Sequence, residues 1–367
     1  MRIITLLIVT IFPMTLRAQV ISTARFADAV AHWNKTHDPA SYGHYTPEEF
    51  RAIADNLIAY QNDDGGWPKN LDPTARLNPD SVRRTIDAKH LRSTLDNANG
   101  YTQIEYLAEV YRLTQQTRYR DAAVRGMEYI LATQYPTGGW RGWDADAATF
   151  NDGIIYGVLS LWLEILQDKA PYQWVEGDLR TRIEASWNHG LKLVLATQWK
   201  QNGTRTVWAQ QYDHTTLQPV KARAYELPGL AAAESADIVM LLMRIRRPSP
   251  EVIEAVKAAA GWFERSKIEG KRLVTVNVPE GLPEDPKIKK DRYLIDDPQA
   301  APLWARYYDL DNNRPFFSTR TGDKVYTLAE VPAERRTGYS WYGSWGEKVL
   351  KKYPSWLAKI EKQNNDL

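Results

Sequence analysis

The sequence predicts a mainly α-helical fold, an α/α toroid, complete or partial, carrying a few short β-strands on its rim. Three observations point there. A helical ending recurs as NLIAYQNDDGGW (Asn56–Trp67), GMEYILATQYPTGGW (Gly126–Trp140), GLKLVLATQWKQNG (Gly190–Gly203) and AAGWFERSKIEG (Ala259–Gly270). Taking Gln61, Gln134, Gln198 and Lys267 as equivalent, the spacings are 73, 64 and 69 residues, too long for one short helical repeat but right for two helices and a loop. Between the endings lie apolar segments of helical period, Tyr101–Tyr111, Ile154–Leu166 and Glu234–Met243, each able to bury one face.

Taken in chain order, Met1–Ala18 reads as a cleavable secretory signal: a basic Arg2, an apolar run from Ile3 to Leu16, and a small residue before Gln19. Its apolar run is too short to span a bilayer, so a secreted or periplasmic protein is expected, free of the membrane once cleaved. Residues 19–367 then form a single catalytic domain. Each repeat is a helical hairpin, and hairpins that each expose an apolar face can close in a ring, leaving their connecting loops together at one end. The Gly pairs at 65–66 and 138–139 permit tight turns after the helices. Val207–Tyr212 and Leu273–Val278 read as short strands. From about Pro283 the repeat gives way to a segment rich in Arg, Tyr, Trp and Pro, ending in a helix near Ser344–Lys362, which is expected to pack over the toroid and complete its cleft.

Composition narrows the function. Removing the leader takes Arg2 and Arg17, leaving 45 of the 47 basic residues against 45 acidic ones, so no net field attracts polyanions from a distance and an acidic ligand must be gripped locally. Nucleic acid is not an expected partner. With no cysteine there is neither disulfide framework nor thiolate chemistry, although export would have permitted both. The six histidines show no HExxH spacing, and GxSxG, P-loop and GxGxxG runs are missing. The 14 Trp and 20 Tyr exceed ordinary usage and offer flat faces that suit sugar rings, although most aromatics serve the core.

Two polar stretches precede apolar helices, TLDNANGY (Thr94–Tyr101) and TFNDGIIYG (Thr149–Gly157), each setting a carboxylate, Asp96 or Asp152, beside an amide, Asn97 or Asn151. Helix capping is the default role of such residues, contributing about 1 kcal/mol. A hard-cation site is the alternative, because Ca²⁺ takes carboxylate and amide oxygens and fills its shell with water or substrate. Arginine is the second theme, with Arg223, Arg306, Arg314, Arg320, Arg335 and Arg336 amid aromatics. Most surface arginines are merely solvated or paired, but a planar fork beside a flat ring is also how a carboxylate is held at two points.

The run TLDNANGYTQIEYLAEVYRLTQQTRYRDAAVRGMEYILATQYPTGGW…TFND, then WAQQYD…ARAYELPGL…ES, then LWARYYDLDNNRPFFSTRTGDKVY…ERRTGYSWYGSW, resembles the pectate lyases of polysaccharide lyase family 10 over roughly Gly65–Trp345. The resemblance implies a helical toroid that cleaves α-1,4-linked polygalacturonate, an acidic polysaccharide, by β-elimination with Ca²⁺. It implies Asp96 and Asp152 as calcium ligands, Asn97, Arg223 and Arg306 as substrate-binding residues, Arg320 as the catalytic base, and a monomer. Departures are confined to the cleft lining. The loop GGWRGWDADAATFND is shorter than usual and carries Arg141 in place of a proline, Thr321 stands where the family has an aspartate, and GLAA (Gly229–Ala232) replaces an SLSG-like run. An inverting glycoside hydrolase on the same toroid, a terpene-cyclase-like toroid and a non-catalytic pectin-binding protein are the competing readings.

Overall fold

The structure, a computed structural model, describes residues 19–365. The signal-peptide reading of Met1–Ala18 lies outside the described residues. Eleven α-helices are present among the described residues: α1 (Ala27–Trp33), α2 (Phe50–Tyr60), α3 (Pro79–Thr85), α4 (Tyr101–Thr114), α5 (Thr117–Ala132), α6 (Ile154–Leu166), α7 (Gly177–Thr197), α8 (Ala232–Leu242), α9 (Pro250–Arg265), α10 (Ala333–Gly338) and α11 (Trp345–Asn365).

The fold is mainly α, an α/α toroid. Helices α4 and α5, α6 and α7, and α8 and α9 pair as hairpins; α4, α6 and α8 contact one another in sequence on the inside, while α5, α7 and α9 do so outside. At one end α2 packs on α4 and α5, and at the other α11 packs on α8 and α9. An inner helix must be apolar on nearly every face. Accordingly α6 buries Ile154, Ile155, Val158, Leu159, Leu161, Trp162 and Ile165 completely.

The repeated residues of the sequence prove to be stitches. Gln61 donates its amide to the carbonyls of Gly65 and Ala122, Gln134 to those of Gly138 and Ser186, and Gln198 to those of Thr206 and Ala255. Each glutamine thus ties its own turn to the outer helix of the next hairpin. The tryptophan that follows donates its indole back to a carbonyl of the helix just ended: Trp67 to Leu57, Trp140 to Ile130, Trp208 to Val194, and Trp304 to Phe263. The indole bonds absorb carbonyls of the last helical turns that would otherwise be left unpaired, whereas Ala122, Ser186 and Ala255 lie within their helices and accept the glutamine as a second donor.

The strands are short, as expected. A four-stranded sheet joins 230–231, 307–308, 315–318 and 324–325, and a second pair joins 147–149 to 211–213. The one long pairing is a hairpin of Lys271–Asn277 against Lys290–Asp296, whose second strand periodicity alone did not reveal. The expected strand at 207–212 is displaced: only 211–213 pairs in a ladder, while Trp208 turns inward to bond the preceding helix.

Candidate active site

The segments that precede the inner helices meet at one end of the toroid. Neither Asp96 nor Asp152 caps a helix: the cap positions of α4 and α6 are Gly100 and Gly153, and the Gly100 N–H is satisfied by Oε1 of Gln103 at 2.7 Å. The capping reading of the two aspartates is therefore overturned. Asn97, Ala98 and Asp152 all adopt the left-handed backbone, with φ of 56°, 57° and 52°, a conformation that costs non-glycine residues free energy and marks a constrained turn. The two turns are joined where Ala98 N–H donates to the Asp152 carbonyl at 3.3 Å.

This arrangement puts the Asp96 and Asp152 carboxyl groups side by side, lining one small recess with Asn151, Asp144 and Glu226. Burial first, and then the negative charge of Asp96, push the Asp152 carboxyl up to about 7, while Arg223 pulls it back. Asp96 is buried and forms an ion pair with Lys69. Asn97 donates its amide to Asn70 Oδ1 at 2.8 Å.

Facing the acids is a cluster of guanidinium groups. Arg223 pairs with buried Glu226, whose Oε1 also accepts from Asn151 at 3.4 Å. Arg306 pairs with Glu234 in the first turn of α8 and lies 5.4 Å from the Tyr339 ring and 5.6 Å from that of Trp345. Burial, the largest single influence, works against the Arg306 charge, but Glu234 together with Tyr339, Tyr307 and Asp152 holds the guanidinium above its ordinary range. Both Arg223 Nε and Arg306 Nε, together with Glu234 Oε2, are buried without a hydrogen-bond partner. Such atoms are costly unless something completes them.

Arg320 sits at the tip of the turn between strands 315–318 and 324–325. The turn is closed by Thr319 N–H to the Asp323 carbonyl at 3.0 Å and docked by Ser318 Oγ–H donating to the Tyr225 carbonyl. Gly322, at φ +93°, is required there, since a Cβ would lie 2.8 Å from the Ala224 carbonyl oxygen. The Arg320 guanidinium lies 5.6 Å from the Tyr225 ring and donates to Glu334 Oε1 at 2.6 Å. Arg223 and Arg335 approach the same ring at 5.4 and 4.8 Å. Three guanidinium groups thus surround one tyrosine, and one of them, Arg223, also acts on Asp152. Arg314 and Arg336 belong elsewhere, the first stacked on Tyr326 and the second paired with Glu284 and Asp291.

The profile of the pectic acid lyase family matches residues 61–350. The chain belongs to the pectic acid lyase family. This polysaccharide lyase is similar to the family 10 polysaccharide lyase from Cellvibrio cellulosa, at 30% identity and a TM-score of 0.70, covering 92% of this chain and 99% of that one. It is also similar to a mutant of that lyase in complex with trigalacturonic acid, at 29% identity and a TM-score of 0.69 over the same shares. No curated protein matches.

Several site residues of this lyase were not singled out by motif: Lys69, Gln210, Glu226, Glu234, Tyr225 and Tyr339. A signal for two of them was present. WAQQY (Trp208–Tyr212) and WARYY (Trp304–Tyr308) are one repeated unit, in which the indole bonds the preceding helix and the last tyrosine hydroxyl bonds the backbone on both sides. Two residues past each repeat tryptophan stand Lys69, Gly142, Gln210 and Arg306. Lys69 pairs with Asp96, Gly142 lines the recess, and Gln210 and Arg306 both bond Glu234. The repeat delivers one position per hairpin to the site.

Proposed function

We propose that this lyase cleaves α-1,4-linked polygalacturonate by Ca²⁺-assisted β-elimination, with Arg320 as base, Asp96 and Asp152 holding calcium, and Asn97, Arg223 and Arg306 binding the substrate. The observation that carries the reading is the meeting of an adjacent carboxyl pair with the Arg223, Arg306 and Arg320 guanidinium groups at one end of the toroid.

The donor set fits a hard cation: all oxygen, two neighbouring carboxyl groups, and one of them reluctant to ionise without added positive charge. Among the described residues no cluster of three or more metal-ligating side chains exists, so water and the uronate itself complete the shell. Calcium, when bound, neutralises charge that develops on the substrate carboxylate. Lys69 must yield Asp96 for this to happen. Arg223 and Arg306, already oriented by Glu226 and Glu234, hold uronate carboxylates through their guanidinium groups. Arg320 leaves Glu334 and takes the proton from C5, and the electron pair expels the C4 oxygen, giving a 4,5-unsaturated uronate without a water nucleophile.

Incubating the purified protein with polygalacturonate, with and without calcium, tests reaction class and cofactor together through the ultraviolet absorbance of the unsaturated product. A chelator abolishes activity and calcium restores it; activity that persists in chelator removes the metal from the reaction. Arg320→Lys lowers turnover by orders of magnitude with substrate affinity nearly intact, and near-normal product formation excludes Arg320 as base. We further infer one exported catalytic unit beginning at Gln19, secreted or periplasmic and monomeric. No helix among the described residues is long and apolar enough to cross a membrane. N-terminal sequencing of exported protein checks the cleavage point.

A further inference from the structure

A second pocket, of about 320 Å³, opens beside the acid recess, with Arg92, Thr94, Tyr129, Tyr135, Arg141 and Gly142 in its lining. That volume lies at the lower end of the range for ligand pockets. The two cavities share Gly142 as a common wall. They are also bridged by Trp143, which carries Lys69 Nζ at 4.2 Å from its ring and the Arg92 guanidinium at 3.9 Å. Since Lys69 pairs with Asp96, an unbroken set of contacts runs from the acid pair through Trp143 to Arg92.

Arg92 differs from the other arginines of the site. Its Nη2 donates to the Trp143 carbonyl at 3.1 Å, and among the described residues no carboxylate pairs with it. An exposed guanidinium ordinarily finds an acid or moves freely, yet this one is laid flat on an indole with most of its donors directed to no protein group. Arg141 is similarly under-used. It stands 3.7 Å from Asp146, beyond hydrogen-bond range, and Asp146 already accepts from the Tyr135 hydroxyl at 2.5 Å. Two under-partnered guanidinium forks and two tyrosine rings around one pocket match a pyranose that bears a carboxylate. Arg141 and Asp146 of the lining lie in the shortened loop, one of the stretches in which this chain departs from the family pattern.

We propose that this pocket is an outlying subsite that binds one further uronate residue of a longer chain, with Arg92 held by Trp143 as its carboxylate ligand and Arg141 as its second cation. The proposal rests on the lyase reading above. It predicts a preference for long oligomers that resides in Arg92 and Arg141.

The test compares the kcat/KM of the parent and of Arg92→Ala and Arg141→Ala on hexagalacturonate and trigalacturonate, with melting temperatures as a check on folding. The expected result is a fall of about tenfold in the hexamer-to-trimer ratio for Arg92→Ala, carried mainly by KM, and a smaller fall for Arg141→Ala. An unchanged ratio, or equal losses on both lengths, overturns the proposal, the latter because it means that Arg92 only supports the Trp143 loop. Should the parent form no unsaturated product, the lyase reading fails on its own. Calorimetric titration of hexagalacturonate into parent and Arg92→Ala then still decides the subsite: weaker binding in the variant upholds it and equal binding rejects it.

Discussion

Lys69 and Glu234 do the electrostatic positioning in this site, each by pairing with a residue of opposite charge in a place poor in water. Glu234 accepts from both Arg306 and Gln210, and its second oxygen has no partner. Removing one member of a buried pair leaves the other uncompensated, at a cost of about 3–5 kcal/mol. Glu234→Ala is therefore expected to lower stability by roughly 3 kcal/mol in denaturant titration, whereas a cost below about 1 kcal/mol means that water solvates Arg306 freely. At Lys69 the expectation has the opposite sign for ligand binding. Because its ammonium occupies Asp96, Lys69→Ala removes a competing cation, and calcium affinity measured by calorimetry is expected to rise about tenfold, the equivalent of about 1.4 kcal/mol. A fall in affinity instead means that Lys69 helps to shape the metal site.

Helix pairs are held by close backbone approach and by the glutamine stitches. Gly157 of α6 faces Tyr101 of α4 so closely that an added Cβ would lie 2.1 Å from the ring carbon Cζ. Gly157→Ala must therefore separate two inner helices whose N-termini carry the acid turns. It is expected to cost about 3 kcal/mol or more and to weaken calcium binding in step, read from thermal melts with and without calcium. Gln134→Ala strips partners from the Gly138 and Ser186 carbonyls, and a loss of about 1–3 kcal/mol is expected. The same substitution at an exposed glutamine provides the control.

Across the whole molecule, one half-buried acid outside the site, its side chain 28% exposed, gives stability a pH dependence. Glu105 on α4 is pushed up to about 7, chiefly by burial, while Arg25, 3.7 Å away, pulls it down. A carboxyl whose folded value lies above its unfolded value of about 4.3 binds its proton more tightly when folded. Its contribution is thus complete below about pH 4 and is lost as pH rises through 7. Glu105→Gln removes that slope, so the variant is expected to gain on the order of 2 kcal/mol over the parent at pH 8 relative to pH 4. A difference that does not change with pH rules out Glu105 as the source.

The hairpin repeat, the helical period of α4, α6 and α8, and the motif-bearing aspartates and arginines were legible in the amino-acid order, because periodicity and turn chemistry are local properties. The partners were not. That Asp96 meets Asp152, that Glu234 holds Arg306, and that three arginines surround Tyr225 depends on closing the hairpins into a toroid, which brings together groups separated by tens to hundreds of residues. Sequence also left Asp96 and Asp152 open between capping and cation binding, since both roles favour the same residues before a helix. Only the tertiary structure decided against capping, because Gly100 and Gly153 take the cap positions once the turns adopt left-handed backbone, and that geometry is sustained by contacts across the site.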